Sequence, residues 1–147
     1  MRMKKVRPDN ELPESITEWG WKYHHLGIPT SKIMPGEKYL PQLRLFVSGF
    51  GESPFGIEWM RFEKGCTIDK LIQRVPHIAF EVTDLNHELA AHNLKVITKP
   101  NSPSEGTMVA MIEHNGAPIE LIEFASRWNT LKALRVLNHF GLIERLK

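Results

Sequence analysis

The chain has 147 residues, 41% hydrophobic and 24% charged, values typical of one globular domain large enough to bury a core. Its formal charge of +2 is too small to argue for nucleic acid or an anionic membrane, and no stretch approaches the ~20 apolar residues of a membrane span. The single cysteine, Cys66, cannot form an internal disulfide; with no signal-like apolar run in the first 17 residues, a cytoplasmic location is expected.

Residues 1–17 are polar, contain Pro8 and Pro13, carry Arg2, Lys4, Lys5 and Arg7, and read as a flexible tail. Trp19–Tyr23 alternates large with small or polar residues, a strand signal that runs into His25 and ends near Pro29. Thr30–Leu40, with Pro35 and Gly36, is expected to hold a turn or a short helix at most. Leu43–Ser48 is β-branched and aromatic and reads as a strand, Gly49–Gly56 as a loop, and Gly56–Glu63 as another strand. Thr67 is placed to cap a short helix reaching Val75, with Ile68, Leu71 and Ile72 on one face, before Pro76 forces extension.

In Val75–Leu85, Ile78, Phe80 and Val82 point to a core, while Val75, His77, Ala79 and Glu81 occupy the opposite face. Asp84 is a natural cap for a helix over Leu85–Asn93, closed by Asn93 in the left-handed region. A strand at Leu94–Thr98 and a loop at Lys99–Gly106 follow, then a hairpin of Thr107–Glu113 and Ala117–Phe124 about Asn115-Gly116. Leu131, Leu134, Leu137 and Phe140 recur every three residues, so 127–147 is expected to add a helix whose apolar stripe packs on the sheet or on another subunit.

Two pairs of segments echo each other. His25-Leu26-Gly27-Ile28 and His77-Ile78-Ala79-Phe80 share His, aliphatic, tiny, apolar; Ile57-Glu58-Trp59-Met60-Arg61-Phe62 and Ile119-Glu120-Leu121-Ile122-Glu123-Phe124 share Ile-Glu, two apolar residues, a charge and Phe. Glu58 follows His25 by 33 residues and Glu120 follows His77 by 43, so the chain reads as two related modules, about 18–74 and 75–126, the first shorter. If they pack about a pseudo-two-fold axis, His25, Glu58, His77 and Glu120 converge. Two imidazoles and two carboxylates suit one divalent ion, with Ni, Co, Zn, Mn and Fe(II) not distinguished, and give a reason for burying carboxylates at a cost of several kcal/mol each.

By strand parity His24 falls on the face of Leu26 and Ile28, away from His25; His87, His92, His114 and His139 read as solvent residues and Cys66 as a packing residue. No glycine-rich phosphate loop or nucleophile elbow is present, and aromatics are not interleaved with a basic face, so nucleotide, serine-hydrolase and nucleic-acid chemistry lack support.

From about Trp21 to Phe124 these motifs resemble the vicinal-oxygen-chelate superfamily, which includes glyoxalases, methylmalonyl-CoA epimerases, extradiol dioxygenases and bleomycin-binding proteins, and they are most similar to glyoxalase-like and epimerase-like members. His25-Leu26-Gly27-Ile28 resembles the first ligand strand, His77–Leu85 the start of the second module, Gly116–Leu121 the last ligand strand and Ile57-Glu58 its counterpart. The resemblance implies an α+β fold of two βαβββ modules, the first shortened, in a curved mixed sheet around a central cleft. It implies His25, Glu58, His77 and Glu120 as metal ligands, with Glu58 or Glu120 doubling as catalytic base. The implied activity is isomerase, epimerase or lyase chemistry beside a carbonyl of a small-molecule substrate, in a chain able to form a homodimer. Two alternatives stand beside it: an Fe(II) dioxygenase using His25, His77 and Glu120, and a small-molecule binding protein without turnover.

Overall fold

Side-chain alternation gives the sheet one face for a helix and another for a cleft. The computed structural model describes residues 6–125, and the terminal helix expected at 127–147 lies outside the described residues. The strands are β1 (Lys22–Pro29), β2 (Lys38–Leu40), β3 (Leu45–Ser48), β4 (Ile57–Phe62), β5 (His77–Glu81), β6 (Lys95–Asn101), β7 (Thr107–His114) and β8 (Ala117–Phe124). Three short helices accompany them: α1 (Glu14–Thr17), α2 (Lys70–Arg74) and α3 (Leu85–Ala91).

The described strands form one curled mixed sheet in the order β2-β3-β4-β1-β5-β8-β7-β6. At its centre β1 and β5 run antiparallel, while β1 pairs with β4, and β5 with β8, in parallel. The outer pairs of each half are antiparallel. From the middle outward the halves therefore repeat one plan, β1-β4-β3-β2 and β5-β8-β7-β6. In the second half α3 joins the first two strands; among the described residues no helix joins β1 to β2, so the first half is the shorter.

The main core lies between α3 and the outer face of the second half. Trp21, Phe80, Val82, Leu85, Ala110, Ile112 and Leu121 pack there, with Ile78 and Ile119 beside them. Leu85 and Leu121 are fully buried, and each such side chain contributes about 1.5–3 kcal/mol of transfer free energy. The start of α3 is fixed twice over: the Asp84 side chain accepts from His87 N, and buried Glu123 accepts from Leu85 N. Asn93 (φ 50°), past its end, and Asn115 (φ 49°) with Gly116 (φ 83°), in the β7–β8 turn, adopt the left-handed conformations expected of them.

Several expectations are corrected. Trp19 and Trp21 precede β1: Trp21 N bonds to Ser15 O, and its ring enters the core. The stretch read as an unstructured tail contains α1, whose end Glu18 N bonds back to Glu14 O. Thr30–Leu40 ends in β2, which pairs with β3, because a three-residue edge strand is too short to show a period in sequence. Helix α2 begins later than expected, since Asp69 rather than Thr67 accepts the capping bond from Leu71 N. Strand β6 continues through Lys99 and Pro100 to Asn101, an edge position where a proline forfeits no ladder bond. His92 is not a solvent residue; its ring stacks on Trp19 at 3.7 Å between centroids, with Nε2 3.2 Å from Glu88.

Candidate metal centre

Sheet register brings the repeated motifs together. Because β1 and β5 are antiparallel, His25 stands opposite Ala79 and Gly27 opposite His77. The parallel pairings then set Glu58 beside Gly27 and Glu120 beside Ala79. Two rows cross the sheet, Glu58–Gly27–His77 and His25–Ala79–Glu120. In the first, the missing side chain of Gly27 leaves the room that the His77 imidazole occupies.

Distances break the symmetry. His77 Nε2 is 3.2 Å and His25 Nε2 is 3.8 Å from the two Glu120 oxygens, and the imidazole centroids are 5.6 Å apart. One ligand atom each from His25, His77 and Glu120 lies within 4.8 Å of the others. Glu58, the fourth expected ligand, has its carboxylate 3.8 Å from His25 Nε2 but stands outside that group of three.

The three fit a divalent ion. Donors bound at about 2.0–2.2 Å to one tetrahedral ion are roughly 3.3–3.6 Å apart, a spacing bracketed by the 3.2 and 3.8 Å that separate Glu120 from His77 and His25. Among the described residues, His25 Nε2 and both His77 ring nitrogens are buried without a hydrogen-bond partner, although Glu120 approaches His77 Nε2 at 3.2 Å. Orphaned buried nitrogens are costly, and a cation at their meeting point would use the lone pairs.

Electrostatics separates the two glutamates. Burial, followed by the neighbouring Glu120 charge, pushes Glu58 up to about 7. Burial also acts to raise Glu120, but His77 and His25 together outweigh it and hold Glu120 below the usual carboxylate range. Burial depresses His25 to about 4, so its imidazole is neutral, the form that ligates. Glu120 is thus the carboxylate kept charged between the imidazoles, and Glu58 the one poised to exchange a proton near neutrality.

His25, Glu58 and Glu120 line a cleft of about 280 Å³ whose walls include Leu40, Leu45, Val47, Met60, Val109 and Ile122, with Lys38, Ser104 and Thr107 as polar groups. His77 is fully buried behind them. His24 also lines this cleft, against the parity argument. The β1 register shifts between Tyr23 and His25, and a bulge of this kind puts two consecutive side chains on one face. His24 Nδ1 is 2.8 Å from His25 Nδ1, and its ring stacks on Phe50. The sequence signal was only the doubled histidine; nothing local marks the bulge. His87 has a 70% exposed side chain, and His114 is exposed at the end of β7.

No family model and no curated protein matches the sequence. Among solved structures, a hypothetical protein from Bacillus halodurans C-125 superposes with a TM-score of 0.55 at 23% identity, covering 71% of this chain and 94% of that one. Methylmalonyl-CoA epimerase from Mycobacterium tuberculosis superposes with a TM-score of 0.52 at 19% identity, covering 71% and 88%. The fold is that of the vicinal-oxygen-chelate proteins. Within this vicinal-oxygen-chelate fold, the buried His25, His77 and Glu120 could hold a metal ion.

Proposed function

We propose that the protein is a metal-dependent isomerase, epimerase or lyase acting on a small molecule at the carbon beside a carbonyl. The observation that carries this reading is the division of labour between the glutamates, one charged between two imidazoles whose Nε2 atoms have no hydrogen-bond partner among the described residues, the other near neutrality in the same cleft. His25, His77 and Glu120 would hold the ion. When bound, a divalent ion supplies Lewis acidity toward two adjacent substrate oxygens.

The chain's own groups do the rest. Glu58, about 7 in its buried setting, takes a proton from the substrate carbon in its carboxylate form and returns one in its acid form; a base matched to ambient pH is the effective one. The aliphatic walls hold the substrate body and exclude water, which strengthens each polar contact within the cleft. The cleft volume suits a small ligand. A cytoplasmic, homodimeric protein remains part of the proposal.

The test is direct. Protein purified without chelator is expected to carry, or to take up, about one divalent ion per chain, and to exchange the α-proton of a small keto or hydroxy-carbonyl compound with deuterated solvent. A protein that refuses Ni, Co, Zn and Fe overturns the reading in favour of a binding module. The exclusion of Glu58 from the group of three favours a second reading, a 2-His-1-carboxylate Fe(II) oxygenase; oxygen uptake with catechols would select it.

A further inference from the structure

We infer that His24 is a positioning residue for the metal centre, holding His25 with Nε2 presented as a lone-pair donor; this rests on the metal reading above. The contact that carries the inference is Nδ1 to Nδ1, at 2.8 Å. Two such nitrogens bind each other only when one bears the proton and the other does not. With the proton on His25 Nδ1, its Nε2 is bare and faces Glu120 and Glu58, each 3.8 Å away. With the proton on His24 Nδ1, a neutral His25 carries hydrogen on Nε2 and cannot ligate there. Metal binding selects the first arrangement, and His24 accepts the hydrogen bond that stabilises it.

His24 is itself braced for this task. The bulge delivers it to the cleft face, Phe50 stacks on its ring at 4.7 Å between centroids, and Phe124 lies at 5.2 Å. A ring clamped between aromatics presents one edge to its neighbour. Partners behind metal-binding histidines fix the tautomer and orientation of the ring, and their loss typically costs 10–100-fold in metal affinity. Among the described residues no counterpart stands behind His77, whose Nδ1 has no hydrogen-bond partner there. The two imidazoles are therefore supported unequally, with His25 as the oriented one.

The test compares wild type, His24→Phe and His24→Asn by Co(II) titration, read by the visible absorption band as well as by affinity. His24→Phe keeps the aromatic stack and removes the nitrogen; it should weaken Co(II) about 10–100-fold and alter the band while the melting midpoint holds. His24→Asn carries a polar atom at the same remove from Cα as Nδ1 and should recover most of the affinity. Equal Co(II) binding by wild type and His24→Phe overturns the inference and leaves the metal reading standing. Failure of wild type to bind Co(II) overturns both. Should His24→Phe not fold, proton–nitrogen NMR of the wild-type Zn(II) form decides: a proton on His25 Nδ1 supports the inference, and ligation through Nδ1 sinks it.

Discussion

The imidazole of His77 lies over Gly27, its cross-strand partner on β1, so closely that a Cβ on residue 27 would stand 2.6 Å from Nε2 and 2.7 Å from Nδ1. Gly27→Ala must therefore push the His77 ring or the strand aside. The expected result is about 1–3 kcal/mol of lost stability, as for overpacking elsewhere, with a larger proportional loss of metal affinity. Urea unfolding and Co(II) titration of the variant check both; an unchanged affinity would show that His77 is not held by this contact.

Glutamate substitutions should divide cleanly. Glu120→Gln removes the charge between the two imidazoles and should abolish metal uptake. Glu58→Gln should retain the ion and lose about 10²–10⁴-fold in α-proton exchange, the range for a positioned base. Metal content by mass spectrometry beside deuterium exchange tells the two apart, and loss of metal in Glu58→Gln would return Glu58 to the ligand set.

The metal-free protein should show opposing pH effects. His25 is depressed from 6.5 to about 4, so the unfolded chain binds the extra proton between these values and this contribution to stability is lost as pH falls. Glu58 is raised from 4.5 to about 7, so the folded chain binds the extra proton there and its contribution is lost as pH rises. Over roughly pH 4.5–6.5 the slopes offset. Glu58→Gln removes one of them, and the charges that act on His25 are those of Glu120, His77 and His24. The stability of this variant should then rise by about 3 kcal/mol from pH 4 to 6.5, because each tenfold change in proton affinity is worth about 1.4 kcal/mol. Urea midpoints across this range give the measurement, and a flat profile in Glu58→Gln counts against a neutral buried His25.

Away from the cleft, Trp21 Nε1 donates to Glu88 Oε1 at 2.6 Å, tying the segment before β1 to α3. Trp21 is 4% exposed, so losing its acceptor leaves an indole N–H buried. Glu88→Ala should cost about 1.5–3 kcal/mol, as for a bond to a charged group, without affecting metal affinity. Calorimetry with a Co(II) titration separates the effects.

Much of this molecule was written locally. Alternation in His77–Glu81, the Asp84 cap and the Asn115-Gly116 turn all act through neighbours a few residues away, and each stands where expected. The convergence of His25, His77 and Glu120 was legible only because the duplication implied the pairing of its halves. The tertiary structure alone decided the rest. A bulge depends on the register of the strand opposite, so parity put His24 on the wrong face until β5 was in view. The rank of the two glutamates depends on reach and on burial: both stand 3.8 Å from His25, but only Glu120 also lies 3.2 Å from His77 and joins the group of three, a difference that homologous sequence positions do not show and the asymmetric packing of the two halves creates.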